Sequence, residues 1–193
     1  MSKIFYIIGK SSTGKDTIYK ELLKNSALES VCLYTTRPQR SNEKEGEEYH
    51  FVSEEEYQHI KEKGLIIEER AYNTIHGIWR YFTVNDGQFD NEDKNYLIVG
   101  VLNSYVSTKD YFGEEKVIPL YIELDDENRL QRALIREKQQ EVPRYAELCR
   151  RFLSDSEDFS EENIIKAGIN RRFRNYSLDD CIAEIRDFIK ENI

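Results

Sequence analysis

Positions 4 to 8 read Ile-Phe-Tyr-Ile-Ile, an apolar run without a polar break, which predicts a strand covered on both faces. The run enters a glycine loop, Gly9 to Gly14. A stretch with Ile18, Leu22 and Leu23 on one side follows and predicts a helix. Val31 to Tyr34 predicts a second short strand. Residues 35–50 are polar, carry Pro38 and Gly46, and read as loop. Ser53 followed by Glu56 is a capping-box pattern, which opens a helix through about Lys63 that Gly64 ends. Leu65-Ile66-Ile67 begins another strand, and residues 84–94 are turn-rich and acidic. Tyr96 to Val101 and Val117 to Ile122 are buried-strand patterns separated by a helix. Asp125 or Asp126 caps a helix carrying Leu130, Leu134 and Ile135. Polar residues 137–144, with Pro143, separate it from a helical stretch at 145–158. Ser177 caps a last helix with Leu178, Ile182, Ile185, Phe188 and Ile189 on one face. Strands alternating with helices predict an α/β fold, a mainly parallel sheet flanked by helices.

The chain of 193 residues fits one domain. Such a chain buries roughly 70% of its unfolded surface and needs no staples. Charged residues make up 34%, and the net charge of −9 sets a field that repels nucleic acid and anionic membranes. Neither is expected as a partner, and a phosphate ligand needs a local cluster of donors. Cys32, Cys149 and Cys181 are too widely spaced for a metal site and suggest no disulfide framework. The apolar start is too short for a signal peptide or a membrane span. These features together predict a cytoplasmic chain with free thiols.

The strongest chemical signal is Gly9-Lys10-Ser11-Ser12-Thr13-Gly14-Lys15-Asp16-Thr17. It fits the first seven positions of G-x-x-x-x-G-K-[ST] and has Asp16 where a hydroxyl is usual. A strand before the loop and a helix after it give the context this chemistry needs. Backbone N–H groups turn inward around phosphate oxygens, the helix N-terminus adds positive potential, and Lys15 supplies a mobile charge. All nine residues are candidate ATP contacts. Asp16 either ligates Mg²⁺, an ion that prefers oxygen donors, or only satisfies the helix dipole while Thr17 makes the polar contact.

The segment Thr35-Thr36-Arg37-Pro38-Gln39-Arg40-Ser41-Asn42-Glu43 follows, with Gly46 and Tyr49-His50-Phe51 after it. Two planar guanidinium forks and a phenol can together satisfy several phosphate oxygens. By composition alone this glutamate-rich stretch reads as a solvated loop. By motif order it resembles the acceptor segment of guanylate kinase, T-T-R-x-x-R-x-G-E followed by G and Y-x-F, with Asn42 in place of the glycine. The resemblance implies that Arg37, Arg40 and Tyr49 hold a monophosphate and that Glu43 belongs to the same site. It aligns Glu68 with a carboxylate that accepts the N1–H and amino protons of guanine, and Tyr81 and Thr83 with a tyrosine and hydroxyl touching phosphate and base. Two departures are visible. Leu33 stands where the family has a serine, and Leu97 to Val101 lacks the family's acidic pair.

Further along, Arg132 and Arg136 share a helix face one turn apart, and Arg150 and Arg151 follow the polar stretch. By resemblance, Arg132, Arg136 and Arg151 are lid arginines that join Lys15 and Arg37 in neutralising charge on the moving phosphoryl group. Asn175 matches a position near the adenine of ATP. The resemblance implies a single domain with core 1–33, 94–136 and 158–193, acceptor segment 34–93 and lid 137–157. It implies ATP-dependent phosphorylation of a nucleoside monophosphate, GMP to GDP, with Mg²⁺, by a monomer or homodimer. Two alternatives stay open: a kinase for a ribose bisphosphate-type sugar, since relatives of that kind share G-K-D at the loop, and a non-catalytic module that binds phosphopeptides. His50, His59 and His76 read as structural or exposed.

Overall fold

In the computed structural model, residues 2–24, 27–41, 43–74 and 77–193 are described; Asn42 and His76 lie outside them. The apolar run forms β1 (Ile4–Ile8), all five residues fully buried, at the centre of a parallel sheet. On one side lie β7 (Asn95–Val99) and then β2 (Leu28–Ser30). On the other lie β8 (Val117–Glu123) and then β9 (Arg172–Arg174). Alternation along β1 explains its lack of polar positions. Ile4, Tyr6 and Ile8 pack under α3 (Leu102–Phe112) and α6 (Glu161–Lys166), while Phe5 and Ile7 pack under α1 (Lys15–Leu23) and α7 (Leu178–Glu191). Each such side chain contributes about 1.5–3 kcal/mol of burial.

A second, four-stranded sheet has the order β4 (Tyr49–Phe51), β3 (Leu33–Thr35), β6 (Gly77–Val84), β5 (Ile66–Thr74). Strands β3 and β4 are parallel, and β6 runs antiparallel to both β3 and β5. The α2 helix (Glu54–Glu62) covers one face through Tyr57, which packs with Phe82 and Val84. The Ser53–Glu56 capping box is formed. Between β8 and β9 the chain adds α4 (Asp126–Lys138) and α5 (Tyr145–Asp158).

Three sequence expectations change. Val31 to Tyr34 is not one strand: β2 ends at Ser30 in the first sheet and β3 begins at Leu33 in the second, so apolar Val31 lies at a crossing. The stretch 35–50 is not all loop, because Tyr49 and His50 enter β4. The α4 helix buries Arg129 and Ala133 and leaves Leu130, Leu134 and Ile135 exposed. Its inner side faces the glycine loop, where a guanidinium finds acceptors that a leucine cannot use.

Candidate active site

The loop after β1 is held from behind. Gly14 has φ +89° and caps α1. A side chain there would meet Asn175 Nδ2 at 2.4 Å. That amide donates to Thr13 O at 2.7 Å, and Arg132 donates to Asn175 O at 2.9 Å. Thr13 Oγ1 donates to Lys10 O at 2.9 Å, and Ser12 takes a left-handed backbone at φ +65°. These contacts hold the loop against the start of α1, with Ser11 N given to Asp155 and Thr13 N to Lys10 O. Lys15 sits at the mouth. Burial holds its ammonium below the ordinary lysine range, and Asp16 and Asp155 pull it back up. Asp16 and Thr17 are exposed, and with Lys15, Arg132 and Arg136 they line a cavity of about 170 Å³.

A cleft of about 620 Å³ opens beside it. Its walls carry Ser11 and Ser12 of the loop, Arg40 from the second sheet, Arg136 from α4 and Arg151 from α5. Ser12 and Arg136 border both spaces, so the lysine and the arginines line neighbouring volumes. Arg151 is exposed and donates to Glu147 at 2.7 Å. Arg150 and Arg151 together hold the Glu147 carboxyl down to about 2.

The second sheet collects the acceptor candidates on one face. Register places Tyr81 opposite Thr35 and Arg70, Thr83 opposite Glu68, and Tyr49 opposite Leu33. Alternation then sends all of these to the side away from α2. The Tyr49 and Tyr81 rings meet edge-on at 5.6 Å. The Arg37 side chain is buried, and its fork is bidentate to Glu43 at 2.8 and 2.9 Å. It also donates to Pro38 O and to the Tyr81 hydroxyl. The Arg37 fork keeps the Glu43 carboxyl below its usual range. Arg40 points outward and is 65% exposed. Glu68 is buried and accepts from Thr83 Oγ1 at 2.8 Å. Burial raises its pKa, against the pull of Arg70 and Thr83.

Residues 1–79 match the family model for guanylate kinase. The guanylate kinase of Thermotoga maritima is 37% identical over 93 residues, 45% of this chain and 44% of that protein. That of Malacoplasma penetrans is 34% identical over 127 residues, 62% and 61% of the two chains. The chain thus spans about half the length of the relatives it matches. The crystal structure of guanylate kinase from Anaplasma phagocytophilum superimposes with TM-score 0.69 over 98% of this chain and 85% of that one, at 17% identity.

The chain is similar to the guanylate kinases over its first 79 residues and shares their fold.

Two of the expected site residues are held by contacts within the chain. Asn175 Nδ2 donates to Thr13 O, with Gly14 leaving room for the amide, and its Oδ1 is buried without a partner among the described residues. The Arg37 guanidinium is committed to Glu43, so Arg40 is the outward-facing cation of the pair. Three participants escaped the sequence reading. Arg129 donates to Ser11 O at 3.1 Å, Asp155 accepts from Ser11 N at 2.7 Å, and Arg70 stands beside Glu68. Arg129 has the inward position on α4 that Ala133 repeats, a spacing of four that could have flagged it. Nothing local in the sequence marks Asp155. Arg70 has the two-residue step from Glu68 that puts both on one strand face.

Proposed function

We propose that this protein transfers the γ-phosphoryl group of ATP to a nucleoside monophosphate, GMP, giving ADP and GDP. The observation that carries the reading is the 620 Å³ cleft, where the phosphate loop, Arg40 and the arginines of α4 and α5 face one another. In the reaction a phosphate oxygen of GMP forms a bond to the γ-phosphorus. The bond from that phosphorus to the bridging oxygen breaks, and ADP leaves with the electron pair. The attacking oxygen is already ionised, so no general base is required. What the chain supplies is position and charge: loop amides and Lys15 on the ATP phosphates, Arg40 and Tyr49 on the acceptor phosphate, and Arg136 and Arg151 on the transferring group. Arg37, fixed by Glu43, shapes the acceptor wall. An arginine placed on the moving charge is worth on the order of 10³ to 10⁵ in rate in related chemistry.

Mg²⁺ fits the donor set. Asp16 and Thr17 offer exposed oxygen donors beside Lys15, and Mg²⁺ is commonly held by one or two carboxylates plus substrate phosphates. When bound, it neutralises phosphate charge. In this reading residues 137–157 act as the lid, 34–93 as the acceptor segment and the remainder as the core. The protein works in the cytoplasm as a monomer or homodimer, without nucleic acid. No helix among the described residues is long and apolar enough to cross a membrane.

A coupled assay with ATP and Mg²⁺ against GMP, AMP, CMP, UMP and a ribose bisphosphate tests the proposal. Turnover of GMP above all others is expected. Turnover of the sugar phosphate alone, or of none, contradicts it.

A further inference from the structure

Glu68 and Arg70 stand two residues apart on β5 and project from one face. Tyr81, opposite Arg70, takes the Arg37 Nε–H at 3.1 Å. The same face therefore runs without a break from the arginine side of the site to the Glu68–Arg70 pair. Arg70 Nε lies 3.2 Å from Glu68 Oε2, with the two side chains 17% and 1% exposed. The atoms are close, yet not aligned for a hydrogen bond, and each is buried with no other partner among the described residues. Only the second Glu68 oxygen is satisfied, by Thr83.

An unsatisfied buried polar atom costs about 1–3 kcal/mol. The two charges offset each other as an ion pair, yet neither atom has a hydrogen bond, and a ligand that completes both is a direct explanation. The surroundings fit that role. The Tyr6 phenol lies within electrostatic reach of both charges, with its hydroxyl given to Ser104 at 2.9 Å. Gly100 leaves room for it, since a Cβ there would lie 2.5 Å from the Tyr6 oxygen.

A carboxylate beside a guanidinium presents acceptors next to donors. The 2-amino, N1–H and 6-oxo edge of guanine presents donor, donor and acceptor in one plane, the complement of that pair. Adenine offers an amino donor in place of the 6-oxo group, where Arg70 also offers donors. We infer that Arg70 reads the acceptor base, donating to the guanine 6-oxo group while Glu68 accepts from N1–H and the 2-amino group. This rests on the GMP reading above and adds a second reader to it.

The test compares kcat/KM for GMP and for 6-thioguanosine monophosphate, which keeps both donors and replaces the oxygen with sulfur, a weaker acceptor. Wild type, Arg70→Lys and Arg70→Ala are measured, with folding checked by circular dichroism. Wild type is expected to favour GMP by about tenfold or more, the scale of one charge-assisted hydrogen bond. Arg70→Ala is expected to narrow that ratio to within about twofold, with Arg70→Lys, which keeps the charge and loses the planar fork, in between. If Arg70 only neutralises Glu68, the ratio stays at its wild-type value in a folded variant. That result overturns the inference and leaves the GMP reading standing. Should neither variant fold, the wild-type ratio decides, and a value near one overturns the inference. Absence of GMP turnover by wild type overturns both.

Discussion

Arg129 and Asp155 grip the same residue of the phosphate loop, one at its carbonyl and one at its amide. Arg129 Nε donates to Ser11 O at 3.1 Å, Asp155 Oδ2 accepts from Ser11 N at 2.7 Å, and the two side chains meet at 3.1 Å. Arg129 is 1% exposed and also pairs with Asp126. A guanidinium this buried needs its carboxylates, and removing one partner exposes the cost of the other. Asp155→Ala is therefore expected to lower stability by about 2–3 kcal/mol, the Asp126 pair limiting the loss. Chemical denaturation with an unchanged m-value checks this. The same variant loosens Arg129 and the loop residue it holds, and is expected to change KM for ATP more than KM for GMP.

Gly14 is expected to tolerate no side chain. Its φ of +89° disfavours any L-residue, and an added Cβ lies 2.4 Å from the Asn175 amide that braces Thr13. Gly14→Ala should cost about 1–3 kcal/mol in backbone strain alone and should weaken ATP binding well beyond that. Thermal melts and ATP titration of the variant measure both effects.

How far the sequence speaks depends on the element. The strand–loop–helix of residues 4–23 was legible because one apolar run, one glycine loop and one amphipathic stretch agree with each other. The terminal helix was legible from its Ser177 cap and apolar stripe. The second sheet was not, because β3 and β4 are three residues each and their polar flanks carry the loop signal. Arg37 and Glu43 were found by motif order, but their mutual bidentate pairing is a tertiary fact. Arg129 and Asp155 meet across 26 residues through the packing of α4 on α5, and no periodicity records that contact.

Glu68 sets a pH limb. Its pKa is raised from 4.5, first by burial, so its proton leaves at a higher pH than that of an ordinary carboxyl. Guanine donors need the ionised form. Affinity for GMP is expected to fall as pH drops through this raised value, at a pH where exposed carboxylates are still ionised. Glu68→Gln is expected to raise KM for GMP by about 10- to 100-fold, the scale of a hydrogen bond to a charged group, and to flatten that limb. The pH profile of kcat/KM, wild type against variant, reads both.

The thiols should separate by position. Cys149 is exposed on α5, whereas burial first of all pushes Cys32 and Cys181 up to about 11. At pH 8 one thiol per chain is expected to react quickly with a disulfide reagent and two slowly, because the thiolate is the nucleophile. Cys149→Ser should abolish the fast phase.

The most direct measurement is a single turnover with ATP labelled at the γ-phosphoryl group, excess protein, Mg²⁺ and GMP. The account predicts that label moves into GDP, that none stays on the protein, and that transfer stops without GMP. Label appearing only as inorganic phosphate, or at the same rate without GMP, contradicts it.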